Sequence, residues 1–186
     1  PLSLHAALPI CYRIVNVFAE SALAGNPLCV FEDGAALDDA TMQALALQFN
    51  LSETTFILAS TRASARVRIF TPTCEMPFAG HPTLGSAHVV RALGLGGQRV
   101  TLEMIAGVIG VEADGDRWTL SANAPKWRAP TASPAELAAA LGIAPADLGT
   151  PPLWVDTGSE QLIVPLATFA AVRRAAPDAA AMRAHA

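Results

Sequence analysis

Charge is scarce in this 186-residue sequence: Asp, Glu, Lys and Arg make up only 15% of it, and the formal net charge is −4. No run of Lys or Arg occurs, so the electrostatic footprint of a protein that tracks a phosphate backbone is missing, and nucleic acid is not expected as a partner. Long apolar runs are missing as well. Arg, Asp, Glu, Gln or Pro interrupts each candidate before the roughly 18–20 residues needed to cross a bilayer, so the chain reads as soluble, without a membrane partner. Cysteine is limited to Cys11, Cys29 and Cys74, with no Cys-x-x-Cys pair. An odd, widely spaced set is poor material for a zinc knuckle or a disulfide framework and fits a reducing, cytoplasmic location. Ser159 in "DTGSE" lacks the Gly-x-Ser-x-Gly elbow of a hydrolase nucleophile, and "GLGG" at 94–97 reads as a helix end and turn, without the pattern of a dinucleotide loop. No metal-ligand spacing is visible.

What is present is apolar. A hydrophobic content of 52% implies a folded chain with a sizeable core, and the length suits one good domain or one and a half small ones. The start, "PLSLHAALPIC" (1–11), has neither the cationic region nor the cleavage site of a signal peptide. It is unlike the remainder of the chain, resembles translated cloning or adapter sequence, and is expected to be a non-native leader outside the fold.

From Tyr12 the pattern is regular. "YRIVNVF" (12–18) and "LCVFE" (28–32) flank the turn-rich "AGNP" and are expected to pair as strands. In "LDDATMQALALQFN", Asp38 or Asp39 can cap a helix with Met42, Leu45 and Phe49 on one face and Asn50 at its end. "TTFILA" (54–59) is strand-like. "ARVRIF" (65–70) alternates as a half-buried strand, with Arg66 and Arg68 on one side and Val67 and Ile69 on the other. Pro82 suits the first helical position and Gly94 a stop, giving a helix over 82–93. That helix has hardly any polar face, so protein is expected around most of it, His88 included as a core histidine. Three short strands come next, at 99–105, 108–113 and 117–122. The expectation is a curved sheet enclosing one buried helix. "SPAELAAALG" (133–142) is a capped helix with Ser133, Pro134 and Glu136 in a capping box. "LWVDTG" and "QLIVPL" read as a new strand pair, and Asp178 as the cap of a closing helical run.

One constellation could carry chemistry. A helix beginning at His81–Pro82 presents unpaired backbone N–H groups and the positive end of its dipole, a seat for carboxylate or phosphate. His81 adds a donor or acceptor at the same spot, and Glu53, in the loop "NLSETTF", could reach in. An anion cradle beside one acid–base group suits moving a proton on and off carbon next to a carboxylate. Such a carboxyl works best where apolar surroundings bring its pKa toward neutrality, and Leu51, Phe56 and Phe78 are the local candidates. On spacing alone, the plain alternatives stand beside this reading: a solvated loop carboxylate for Glu53 and a backbone-satisfied helix start for His81. Cys29 and Cys74 read as small hydrophobes with no activating base close by in sequence.

"NVFAESALAGNPLCVF", "NLSETTF" and "RIFTPTCEMPFAGHPTLGSAHVV", in that order, strongly resemble the phenazine-biosynthesis (PhzF-like) isomerase family, a branch of the diaminopimelate epimerase-like fold. The resemblance runs from about Tyr12 into the strands near 153–166 and is specific for family but weak for substrate. It implies an α+β fold of two similar domains, each a curved, mostly antiparallel sheet wrapped around a central buried helix, with the active site in the cleft between them. The family's acid–base glutamate matches Glu53, and its substrate-contacting histidine matches His81, with Gly80 beside it. Family members shift a proton within a small cyclic carboxylate, a dihydro-hydroxyanthranilate, need neither metal nor organic cofactor, and often pair as homodimers.

Two departures bear on the activity. Related amino-acid epimerases carry a cysteine where this chain has Ala79, which disfavours a two-thiol racemase; Cys74 lies five positions earlier and does not substitute. Family members also continue further, into a second-domain Asp-Pro-x-Thr-Gly-Ser-like loop that this sequence lacks. The expected layout is therefore a leader over 1–11, an N-terminal domain over 12–124, a connection with a helix over 125–152, and the start of an incomplete second domain over 153–186. Two readings of function stand together: a PhzF-like isomerase as the intact gene product, and a catalytically inactive fragment or half-enzyme that only binds or self-associates. An amino-acid epimerase is the weaker third.

Overall fold

The computed structural model describes residues 10–184, so the expected leader lies outside the described residues as far as residue 9. Of its last two residues, Ile10 packs against a core cluster, and the Cys11 carbonyl accepts the Glu32 N–H. The chain divides into two compact units, Pro1–Asn123 and Ala124–Ala186.

The first unit is a sheet curled about a helix. Its strands are β1 (Tyr12–Val17), β2 (Asn26–Phe31), β3 (Thr54–Leu58), β4 (Ala65–Phe70), the short β5 (Glu75–Met76), β6 (Arg99–Met104), β7 (Gly107–Asp114) and β8 (Arg117–Ser121). They run in the order β1-β2-β3-β4-β6-β7-β8, with β5 paired beside β4. Among the described residues only β2 with β3 and β4 with β6 are parallel. Parallel neighbours need a crossover. Helix α1 (Asp39–Phe49) supplies the first and α2 (Gly80–Ala92) the second.

Helix α1 forms where expected: Asp38 accepts the Thr41 N–H as N-cap, and Asn50 closes the helix in the left-handed region. Helix α2 starts two residues before Pro82, which stands in its first turn rather than opening it. It packs against β1, β2, β3, β4, β6, β7 and β8, so the expected curved, mostly antiparallel sheet around a buried helix is the fold observed. Close approach to the sheet needs Gly85. A Cβ there would lie 2.6 Å from Leu28 Cδ2 and 3.0 Å from Val17 Cγ2.

Alternation along each strand feeds two cores. Leu28 and Val30 join a cluster with Ile57, Val67, Ile69 and the α2 residues Leu84, Ala87, Val89 and Val90. Cys29 and Phe31 point the other way, into a cluster with Met42 and Ala46 of α1, Phe56 and Phe70. Burial pushes the Cys29 thiol up to about 12, so it is an apolar filler at neutral pH. Cys74 is exposed in the turn before β5, so the expectation of a packed small hydrophobe fails there. Arg68 is mostly covered, because its guanidinium is held by both Glu75 carboxylate oxygens at 2.7 Å and by Asp39 at 2.6 Å.

The second unit holds β9 (Lys126–Arg128), β10 (Leu153–Asp156) and β11 (Glu160–Ile163) in an antiparallel sheet of order β11-β10-β9, with helices α3 (Pro134–Ala140), α4 (Phe169–Arg174) and α5 (Ala179–Arg183). Ser133 and Glu136 close the capping box on α3 in both directions. Replacing Ser133 by Ala should cost about 1 kcal/mol of stability. A urea midpoint that does not move would show that the box adds nothing.

Candidate active site

The parallel pairing of β2 with β3 brings the residues preceding both strands to one end of the sheet. Cys29 lies opposite Thr54, so Asn26, at the start of β2, falls near the loop that carries Ser52 and Glu53. Helix α2 packs on both strands, and its first turn supplies Gly80 and His81 at this same end. Residues distant in sequence are thereby assembled by the topology. Ser52 Oγ donates to Asn26 Oδ1 at 3.0 Å, Asn26 Nδ2 lies 3.3 Å from His81 Nδ1, and His81 Nε2 lies 3.4 Å from Glu53 Oε2.

The start of α2 is uncapped: Ala79 makes no side-chain hydrogen bond to the first turn. Pro82 has no N–H, which leaves the amides of Gly80 and His81 as the donors of that turn. Gly80 is exposed, and a Cβ built on it would meet nothing within 4 Å, so the space beside these amides is open.

His81 is buried, with 8% of its surface exposed. Burial holds its imidazole below the ordinary value, outweighing the attraction of the Glu53 carboxylate and a hydrogen bond to the Pro27 carbonyl, which both act upward. The ring is therefore neutral at pH 7, and the Glu53–His81 contact is not a salt bridge. Glu53 Oε2 and His81 Nε2 are both buried without a hydrogen-bond partner, as is Thr54 Oγ1. An unpaired buried polar atom costs on the order of 1–3 kcal/mol, so two of them 3.4 Å apart are a feature that calls for an explanation.

This depression makes stability depend on pH. The unfolded chain takes a proton on residue 81 below about pH 6.5, while the folded chain resists it, so the unfolded state binds more protons. Stability is full above that pH and falls as pH drops towards the lowered folded value. His81→Gln should flatten this decline between about pH 7 and pH 5 in urea titrations; an unchanged slope would place the imidazole in water.

His88 is not a core residue. It is exposed, its ring lies edge-on to Trp118 at 5.8 Å, and both line a groove of about 730 Å³ beside α2 with Val15, Val17, Leu84 and Gly85. Of the apolar residues expected around Glu53, Phe78 belongs to the α2 cluster and Phe56 to the α1 cluster, with Leu51 packed against the latter. Asn26 is the member of the site that the sequence did not announce. "GNP" reads as a turn signal, and nothing in it shows an amide aimed at a histidine 55 residues away. Among the described residues, no cluster of three His, Cys, Asp or Glu side chains could hold a metal ion, and no helix is long and apolar enough to cross a membrane.

Known proteins resemble this chain over most of its length. An uncharacterised isomerase of Pasteurella multocida is 36% identical over 178 residues, covering 89% of this chain and 58% of the relative. The trans-2,3-dihydro-3-hydroxyanthranilate isomerase of Pseudomonas chlororaphis is 38% identical over 173 residues, covering 90% of the chain and 61% of the enzyme. Among solved structures, a predicted epimerase from Pseudomonas aeruginosa superposes with a TM-score of 0.80 at 34% identity, covering 93% of the chain and 64% of its own. The chain thus spans about three-fifths of the length of these curated relatives. Residues 15–186 match the PhzC-PhzF family, described as phenazine biosynthesis-like protein, and the chain belongs to that family.

Proposed function

We propose that this chain forms the Glu53-bearing part of an isomerase that moves a proton on a small cyclic carboxylate of the dihydro-hydroxyanthranilate kind, by acid–base catalysis without a cofactor. The observation that carries the reading is the pair of unpartnered, buried polar atoms, Glu53 Oε2 and His81 Nε2, 3.4 Å apart at the uncapped start of α2. The relative named for trans-2,3-dihydro-3-hydroxyanthranilate isomerisation supports the substrate class.

In this reading the amides of Gly80 and His81 seat the substrate carboxylate, favoured by the helix dipole. The Glu53 carboxylate takes a proton from ring carbon: the C–H bond breaks, an O–H bond forms on Glu53, and the electron pair enters the conjugated system. The Glu53 O–H exchanges its hydrogen with solvent and then delivers a proton to another ring carbon, so atoms and charge balance without an oxidant or reductant. His81, neutral as its burial favours, turns Nε2 towards the Glu53 carboxylate 3.4 Å away. The test is conversion of trans-2,3-dihydro-3-hydroxyanthranilate by the full-length gene product, followed by proton NMR. A new isomer is expected; an unchanged spectrum alongside racemisation of a free amino acid would transfer the protein to the epimerases.

One observation favours a second reading for the 186 residues taken alone. They span about three-fifths of their curated relatives, and the space beside the amides of Gly80 and His81 is open, so water is excluded poorly and the isolated chain would bind without turnover. Turnover by the isolated chain at the rate of the full-length product would overturn that reading.

A further inference from the structure

Neutral imidazole carries one proton, and which nitrogen holds it decides whether Nε2 faces Glu53 as donor or acceptor. Two groups bear on this choice. The Asn26 amide nitrogen, 3.3 Å from Nδ1, can only donate, whereas the Pro27 carbonyl, also a partner of the ring, can only accept, and Nε2 itself has no hydrogen-bond partner. The first leaves the proton on Nε2, facing the carboxylate; the second puts it on Nδ1 and turns a lone pair towards Glu53. With a carboxylate oxygen 3.4 Å from Nε2, the second arrangement sets lone pair against negative charge.

We infer that Asn26 is a positioning residue for the reaction: its amide, held by Ser52, donates to His81 Nδ1 and so fixes the proton on Nε2, facing Glu53. This rests on the proposed roles of Glu53 and His81. The orientation of the amide decides the matter, because Asn26 rotated by half a turn would present its oxygen to Nδ1 and reverse the tautomer. In the structure Ser52 Oγ donates to Oδ1 at 3.0 Å, which leaves Nδ2 facing the ring. Ser52 and Glu53 are consecutive, so one loop grips both ends of the array: its hydroxyl sets the amide, the amide sets the ring, and the ring meets the carboxylate of the next residue. A second partner that selects the tautomer of a working histidine is a general device.

The test reads the resting protein and does not depend on turnover. Two-bond nitrogen–proton correlation spectra of the ¹⁵N-histidine-labelled chain at pH 8, with the resonances assigned by His81→Gln, show which ring nitrogen bears the proton. Wild type is expected to carry it on Nε2. Asn26→Leu removes the donor, and Asn26→Asp offers an acceptor instead, so in both the lone-pair resonance should move from Nδ1 to Nε2. Ser52→Ala frees the amide to rotate and should give a mixture. A wild-type proton on Nδ1, or a tautomer unmoved in both Asn26 variants, would overturn the inference, and the first of these can be read even if a variant fails to fold. A tautomer that follows Asn26 in a protein without isomerase activity would sink the proposed function and leave this assignment standing.

Discussion

Glu53→Gln in the full-length gene product is expected to lower turnover about 10²–10⁴-fold, the usual contribution of a positioned acid–base group. Substrate affinity should change little, because the amides at the start of α2 remain. The substitution keeps the shape of the side chain and removes the charge, so the fold should tolerate it. Glu53 Oε2 is buried without a hydrogen-bond partner, and a glutamine side chain would put no charge in that position, so stability should hold or rise slightly. Lost activity with undiminished stability would separate a chemical role from a structural one; a variant that loses both in parallel would make Glu53 a scaffold residue.

The second large effect concerns the scaffold that carries this loop. Phe56, fully buried on β3 three residues after Glu53, stacks on Phe31 with centroids 4.8 Å apart and meets Phe70 edge-on at 5.6 Å. Phe31 in turn meets Phe49 of α1 edge-on at 5.6 Å, so the cluster ties α1 to the strands on both sides of the crossover. Phe56→Ala removes the central ring and should cost about 3–5 kcal/mol, a large share of the roughly 5–15 kcal/mol of a typical domain. Chemical denaturation measures it directly. A loss below about 1 kcal/mol would mean that the cluster collapses around the gap and does not brace the β3 loop.

Most of this architecture is legible in the residues. Period-two alternation marks Ala65–Phe70, the Asp38 cap and Asn50 stop bound α1, and the capping box locates α3, because each is a local signal with a local cause. Elements of two or three residues, such as β5 and β9, carry too little pattern to stand out. His88 shows a different limit. An apolar helix implies protein on every side, but the sheet runs in sequence only from β1 to β8, and the groove flanked by Val15, Val17 and Trp118 exposes the helix face on which His88 lies. Periodicity describes a helix and cannot say where its sheet stops.

The site divides in the same way. Glu53 and His81 are 28 positions apart, and composition or spacing gives no reason to join them; the family motifs suggested the pair, and the packing of α2 on β2 and β3 brings the two side chains within 3.4 Å. Asn26 has no such signal, because its place beside His81 arises from the register of a parallel strand pair.

If the Glu53 carboxyl carries the migrating proton, exchange in heavy water reveals it most directly. The full-length wild type and Glu53→Gln are incubated with trans-2,3-dihydro-3-hydroxyanthranilate, and deuterium in the ring is followed by NMR, with binding measured in parallel. The wild type should place solvent deuterium on ring carbon, and Glu53→Gln should place none while still binding the compound. Deuterium entering at the wild-type rate in Glu53→Gln would contradict the account and assign the proton transfer to another group.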